Sequence, residues 1–280
     1  MKLAEWMFPE DLAPGDAKSV ERDWSDAALH RIDHTDGPLF DMAFGALWAE
    51  FGHAGEMEQA DVLAERMKWN PAHLIDGCAL RYRMMLVTCG NEFAGVRDHT
   101  AIVLEDHPGA VVHLSHNLVA TAWRRSGLAG WMRALPVTTA RNVLEAQHRP
   151  PHSPITLVGE MEHPDPTVMA SIVRLKAYEK AGYLKVDPSR VNYLQPDFRP
   201  PEVIDRDGTV RPIPLSLIVR RVGRENEETI SGAEVRQIAT SLYRMYGMAF
   251  RRQDMSGLFH SLLDYPAPDE RIRLLPPTAS

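Results

Sequence analysis

The most constraining feature of this chain is a stretch of period-two alternation. Leu80, Tyr82, Met84 and Leu86 alternate with Arg81, Arg83, Met85 and Val87. A strand produces this pattern because its successive side chains point to opposite faces. Gly90-Asn91 then offers a turn, residues 93–104 read as the returning strand, residues 106–109 as a second turn, and residues 111–119 as a third strand. Connections this short cannot carry a crossover, so the three strands form an antiparallel meander.

Helical periodicity flanks the meander. Before it, Phe40, Phe44, Leu47 and Phe51 share one face of a helix that starts at Pro38, with Gly52 expected as a left-handed stop. A second helix is expected from Glu56 to Met67, ended by Asn70-Pro71. After it, Leu128, Trp131, Met132 and Leu135 recur at helical spacing, Pro136 is expected to end or kink that helix, and the pattern resumes over residues 138–146. A short strand at 155–158, a helix over 166–181 closed by Gly182, and strands at 183–186 and 214–222 follow. Residues 187–207 are proline-rich and polar and read as irregular. Ser231 and Glu234 form a capping box, with Ile230 and Val235 placed to staple it, so a helix begins there. The tail from 265 onward reads as extended.

A helix between the strands at 111–119 and 155–158 makes those two parallel or nearly so. The expected fold class is therefore α/β (α+β): a mixed, mostly antiparallel sheet flanked by helices. Residues 1–37 are expected to be an irregular N-terminal segment, 38–222 the main domain, and 223–280 a helical C-terminal extension.

Composition narrows the function. The net charge is −7, and no run of Lys or Arg exceeds two; the pairs are Arg124-Arg125, Arg220-Arg221 and Arg251-Arg252. A nucleic-acid surface would show a basic stripe, so none is expected. Cys78 and Cys89 are too few for a disulfide framework or a four-cysteine metal site. The first residues lack the ~7–15 apolar positions of a signal peptide, and no segment approaches the ~18 of a membrane span. The expectation is a cytoplasmic protein with no membrane partner.

The chemistry is carried by residues 118–131, LVATAWRRSGLAGW. A strand runs into a loop that opens a helix. Helix N-termini expose unpaired amides and a partial positive charge, which is an anion site by construction. Gly127 lets the backbone approach a phosphate closely, Ala129 is nearly as permissive, and Arg124 and Arg125 add donors.

The run Val119-x-x-x-Trp123-Arg124-x-x-Gly127-x-Ala129 resembles the acetyl-CoA motif of the GNAT superfamily of N-acetyltransferases. Two other stretches are similar to that family: residues 174–186, RLKAYEKAGYLKV, and the hairpin 86–96, LVTCGNEFAGV, with its glycine at Gly95. Thr121 stands where the family often has proline, and Ala129 takes the second glycine position. The resemblance implies a GNAT-like domain over 38–222 with acetyl-CoA or another acyl-CoA as co-substrate. It implies that the backbone of Leu118 and Val119 meets the pantetheine arm, and that amides from Arg125 through Ser126, Gly127 and Leu128 to Ala129 hold the pyrophosphate. Tyr178 falls where the family often places a general acid.

The amine acceptor, a small molecule or a peptide, must also lose a proton. Glu160, just past the strand at 155–158, is the candidate base, with Glu162 behind it. His113 and His116 sit three apart in a strand, so they face opposite sides and cannot share a metal ion without a bulge; no metal is expected, although His116 could approach the acceptor. Arg97-Asp98-His99 could line an acceptor pocket or sit at the surface. The expected function is acyl-CoA-dependent N-acylation by direct attack in a ternary complex. The alternative is a non-catalytic acyl-CoA sensor, with Tyr243, Met245, Tyr246, Met248 and Phe250 forming a partner or homodimer face.

Overall fold

The computed structural model describes residues 8–17, 23–52, 57–165 and 167–279. The chain forms two compact units, residues 1–157 and 158–280. The strand Ile155–Met161 carries the chain from one into the other.

In the first unit the expected meander is present as β3 (Cys78–Cys89), β4 (Glu92–Leu104) and β5 (Ala110–Val119). All pairings are antiparallel, and β2 (Leu74–Ile75) adds to β3. The segment expected to be irregular supplies a further strand, β1 (Ala27–Ile32), paired antiparallel with β3 from Ala27 opposite Cys89 to Ile32 opposite Met84. Helix α1 (Pro38–Phe51) buries Phe40, Ala43 and Leu47. Gly52 does not terminate it with a left-handed residue: its φ is −64°, and its amide still donates to Trp48. Helix α2 (Ala60–Met67) ends where expected, while its expected start at Glu56 lies outside the described residues.

Helix α3 (Leu128–Ala146) runs through Pro136 without a break. Proline costs about 3 kcal/mol in a helix interior. Leu135, Val137, Val143 and Leu144 around and beyond it are all buried, at about 1.5–3 kcal/mol per large aliphatic side chain, so packing outweighs the lost bond. At its N-terminal end α3 packs Leu128, Trp131, Met132 and Leu135 against Trp24, Leu29, Met85 and Val87. Two of its arginines hold the N-terminal segment: Arg133 makes a two-pronged pair with Asp16 at 2.5 and 2.8 Å, and Arg141 bonds Asp11 at 2.6 Å. The strand β6 (Ile155–Met161) starts beside the start of β5, where the Ala110 amide donates to Pro154 at 2.8 Å. This is the parallel arrangement that the crossover through α3 requires.

The second unit contains α4 (Met169–Lys180), β7 (Leu184–Val186), β8 (Tyr193–Gln195), α5 (Pro201–Asp207), β9 (Ile213–Arg221), β10 (Thr229–Ser231), α6 (Gly232–Gly247), α7 (Arg252–Ser261) and β11 (Arg271–Leu275). Its strands run in the order β9-β7-β11-β10, with β8 on the far side of β9. Gly182 closes α4 at φ +79°, as expected. The capping box is formed: Ser231 Oγ accepts from the Glu234 amide at 3.2 Å, and the Glu234 carboxylate accepts from the Ser231 amide at 3.4 Å. Residues 187–207, read as irregular, contain β8 and α5. The C-terminal segment is not wholly helical, since β10 and β11 belong to the sheet. Tyr243, Met245 and Tyr246 are buried within this unit. Among the described residues no helix is long and apolar enough to cross a membrane.

Candidate functional site

The loop after β5 has the geometry of an open helix mouth. Leu118 and Val119, half-buried, end the strand opposite Val96 and Gly95. The chain makes one tight turn at Thr121–Trp123, then takes two left-handed residues, Arg125 at φ 65° and Gly127 at φ 97°. A non-glycine residue with positive φ is uncommon and strained. Gly127 is the N-cap of α3 and supplies no capping side chain. Ser126 Oγ donates to the Trp123 carbonyl at 2.6 Å and accepts weakly from the Leu128 amide at 3.3 Å. The amides of Arg125, Gly127 and Ala129 have no hydrogen-bond partner among the described residues. Ser126 and Gly127 are half-open to solvent, and Leu128 alone in this loop is buried, anchoring it to the core.

The arginines sort themselves. Arg220 and Arg221 are buried against Glu225 and Glu227, and Arg251 is held by Asp205 and Asp254. Arg124 and Arg125 are exposed and have no ion-pair partner among the described residues. The unspent positive charge therefore lies beside the unspent amides. Gly95 also has a structural reason: a Cβ there would meet the Leu118 carbonyl oxygen and Met132 Sδ, each at 2.9 Å. The glycine thus allows β4 to approach both the strand end and α3.

Tyr178 and Glu160 belong to the second unit. Tyr178, on α4, is 8% exposed, with its ring edge-on to Tyr183 at 4.9 Å. Glu160 lies within β6 rather than past its end, because the strand continues to Met161. Its carboxylate accepts from the hydroxyls of Tyr193 and Tyr246, each at 2.5 Å, and from Gln195 Nε2 at 3.2 Å. Burial, then the nearby Glu160 charge, pushes the Tyr193 hydroxyl well up, so it stays a protonated donor. Glu162 falls beyond the strand and pairs loosely with Arg174 at 3.4 Å on the surface.

The triplet 97–99 is buried rather than superficial, and β4 splits it between two faces. His99 turns toward α3, bonding Thr139 at 2.8 Å; burial, with the charge of Arg97, lowers its imidazole to about 3. Arg97 shares that face, and its guanidinium nitrogens have no partner among the described residues. Asp98 turns the other way, toward Tyr82 and His116. The two strand histidines also depart from simple alternation. His113 pairs with Thr100 and His116 with Asp98, with a register shift between, so both oppose residues on one face of β4. Among the described residues no group of three or more His, Cys, Asp or Glu could hold a metal ion.

No family model matches the sequence, and no curated protein matches it. Solved structures do. An aminoglycoside acetyltransferase from an uncultured soil metagenomic sample, in complex with trehalose, is 12% identical; the match covers 55% of this chain and 87% of that one, at a TM-score of 0.36. An acetyltransferase from Streptococcus agalactiae is 9% identical over 69% of this chain and 98% of that one, at 0.35. A tandem GNAT protein from the clavulanic acid biosynthesis pathway is 13% identical over 84% of this chain and 64% of that one, at 0.31. The structural neighbours are thus acetyltransferases and GNAT proteins.

Proposed function

We propose that this chain is an acyl-CoA-dependent N-acyltransferase of the GNAT type, acylating an amine by direct attack in a ternary complex. The observation that carries the reading is the mouth of α3. Three partnerless amides, two strained left-handed residues and two unpaired arginines converge where the motif 119–129 places a diphosphate. A phosphate there would gain charge-assisted hydrogen bonds from Arg125, Gly127 and Ala129 without displacing any internal bond. The thioester co-substrate supplies an activated acyl carbon. The chain's part is to fix the diphosphate, orient the thioester along Leu118 and Val119, and manage two protons. Tyr178 is the donor proposed for the departing sulfur. A phenol near 10 and a thiol near 8.5 make outright transfer nearly level, so a hydrogen bond to the developing thiolate is its main contribution.

Calorimetric titration with CoA, followed by thiol release from acetyl-CoA across a panel of amines, tests this reading. CoA binding that is lost in Gly127→Glu, together with amine-dependent thiol release, is the expected result. Binding without release from any amine would favour a sensor that shares the loop. Undiminished binding in Gly127→Glu would remove the loop from the site.

A further inference from the structure

We propose that His116 and Asp98 form the acid–base pair that removes the proton from the acceptor amine, with His116 the catalytic residue and Asp98 its positioning residue. The proposal rests on the acyltransferase reading above and assigns the base within it to His116 rather than Glu160.

The geometry comes from the bulge. Between Asp98 and Thr100 lies one residue of β4, whereas Leu114 and Ser115 both lie between His116 and His113 on β5. Bulges re-aim side chains and recur beside functional sites. Here the bulge sets His116 directly opposite a carboxylate that is 1% exposed. Asp98 Oδ1 accepts from the His116 amide at 2.8 Å and contacts its ring Nδ1 at 2.9 Å; Oδ2 accepts from the Tyr82 hydroxyl at 3.0 Å. A carboxylate held from three directions cannot rotate, so it fixes both the ring plane and the tautomer of its histidine. With the proton on Nδ1, the lone pair of the neutral ring is on Nε2. Phe51 of α1 covers the ring at 4.9 Å. The His116 side chain remains 11% exposed, whereas His99 on the other face is fully buried.

The electrostatics agree. Burial alone would raise the Asp98 carboxyl, but the charge and hydrogen bonds of His116, with that of Tyr82, bring it down to about 2. It is therefore an anion across the working range. Tyr82 is pushed well up by burial and by Asp98, and stays neutral. The other charged groups on this side are the Arg66–Glu58 pair, which acts on Tyr82, and His113, whose Nδ1 lies 3.2 Å from Ser115 Oγ. Glu160 is less suited to the role. A carboxylate has about four acceptor positions, and Tyr193, Tyr246 and Gln195 take three of them.

The proton account closes. An ammonium acceptor gives one proton to His116 Nε2, and the freed lone pair forms the C–N bond to the acyl carbon. The C–S bond breaks with its electron pair on sulfur, and the second amine proton neutralises the thiolate. His116 then returns its proton to solvent.

The test uses the full chain, with His116→Gln and Asp98→Asn. His116→Gln should lower kcat/KM for a strongly basic amine by about 10²–10⁴-fold at neutral pH, with CoA affinity unchanged. The deficit should shrink with an amine of low basicity, which arrives already deprotonated. Asp98→Asn should move the acid limb of the kcat/KM profile to lower pH, because the carboxylate that favours the imidazolium is gone. Nitrogen NMR of the ligand-free protein should show the Nδ1-protonated tautomer of His116. This reading holds whether or not a substrate is known, and Asp98→Asn serves if His116→Gln fails to fold. Turnover within twofold of wild type in His116→Gln, a deficit equal for all amines, or the opposite tautomer overturns the pair while leaving the transferase reading intact. A wild type that binds CoA but acylates no amine overturns both.

Discussion

Replacing Gly127 by alanine isolates the claim that the main chain, rather than charge, grips the diphosphate. Gly127 has φ 97° and ψ −11°, a region in which a Cβ costs about 1–2 kcal/mol. The loop has little slack to absorb this, because Arg125 already occupies φ 65° without being a glycine. If the loop relaxes toward negative φ, the amides of Gly127 and Ala129 swing off target, and binding must restore them at that same cost. With 1.4 kcal/mol per factor of ten, CoA affinity should fall by roughly 5- to 30-fold. Thermal unfolding should drop by about 2–8 °C for a protein of this size. Arg125→Gly is the complement: it removes a guanidinium but relieves the strain, so stability should hold or rise, and the affinity it loses should be mostly the salt-sensitive part. Calorimetry at two ionic strengths reads both variants. Gly127→Ala that unfolds earlier yet binds CoA as wild type does would refute the reasoning, because the strain would then be unconnected to the ligand.

Three other expectations are independent of that one. Tyr178→Phe should lower turnover about ten-fold or more with CoA affinity nearly intact, as for loss of a donor aimed at the leaving group; equal turnover would exclude Tyr178. Gly232→Ala should cost about 3 kcal/mol, because its Cβ would fall on the Ala267 carbonyl oxygen and within 2.9 Å of the Pro266 oxygen, both backbone atoms; a urea midpoint that barely moves would contradict that packing. His99, lowered to about 3 by burial and by Arg97, is neutral when folded but binds a proton near 6.5 when unfolded. The stability this confers is present above pH 6.5 and lost as pH falls toward 3. It should amount to about 2.5 kcal/mol between pH 6.5 and 4.5, and His99→Gln should flatten that slope in denaturant titrations.

The fold was legible wherever local pattern and tertiary packing agreed. The meander could be read because strong alternation in β3 is followed by turns too short for any other connection. The start of α6 could be read because Ser231 and Glu234 cap it with their own side chains. Misreadings arose where one level overrode another. Pro136 signals a break, but the buried residues on both sides of it hold α3 together. Pro200 and Pro201 suggested irregular chain, whereas Pro201 occupies the first turn of α5, where a missing amide costs nothing. In β1, Ala27 and Leu29 alternate inward, but Ile32 falls out of phase and His30 and Arg31 obscure the pattern. Its identity as a strand comes from β3, not from its own residues.

The same distinction separates the parts of the candidate site. The anion loop is contiguous: a strand end, two positive-φ positions and a helix start occupy adjacent residues, so sequence alone could point to it. The pairing of Asp98 with His116 depends on register. A shift of one residue in a strand moves every side chain to the other face, and the bulge on β5 is such a shift, confined to the stretch between His113 and His116. Simple alternation therefore assigned those two histidines to opposite faces. Glu160 shows the converse. Its position was evident, but the groups that engage it lie 33, 35 and 86 residues further along the chain. Those partners, rather than the identity of the carboxylate, argue for a fixed acceptor at Glu160 and leave proton removal to the histidine that a buried carboxylate aligns.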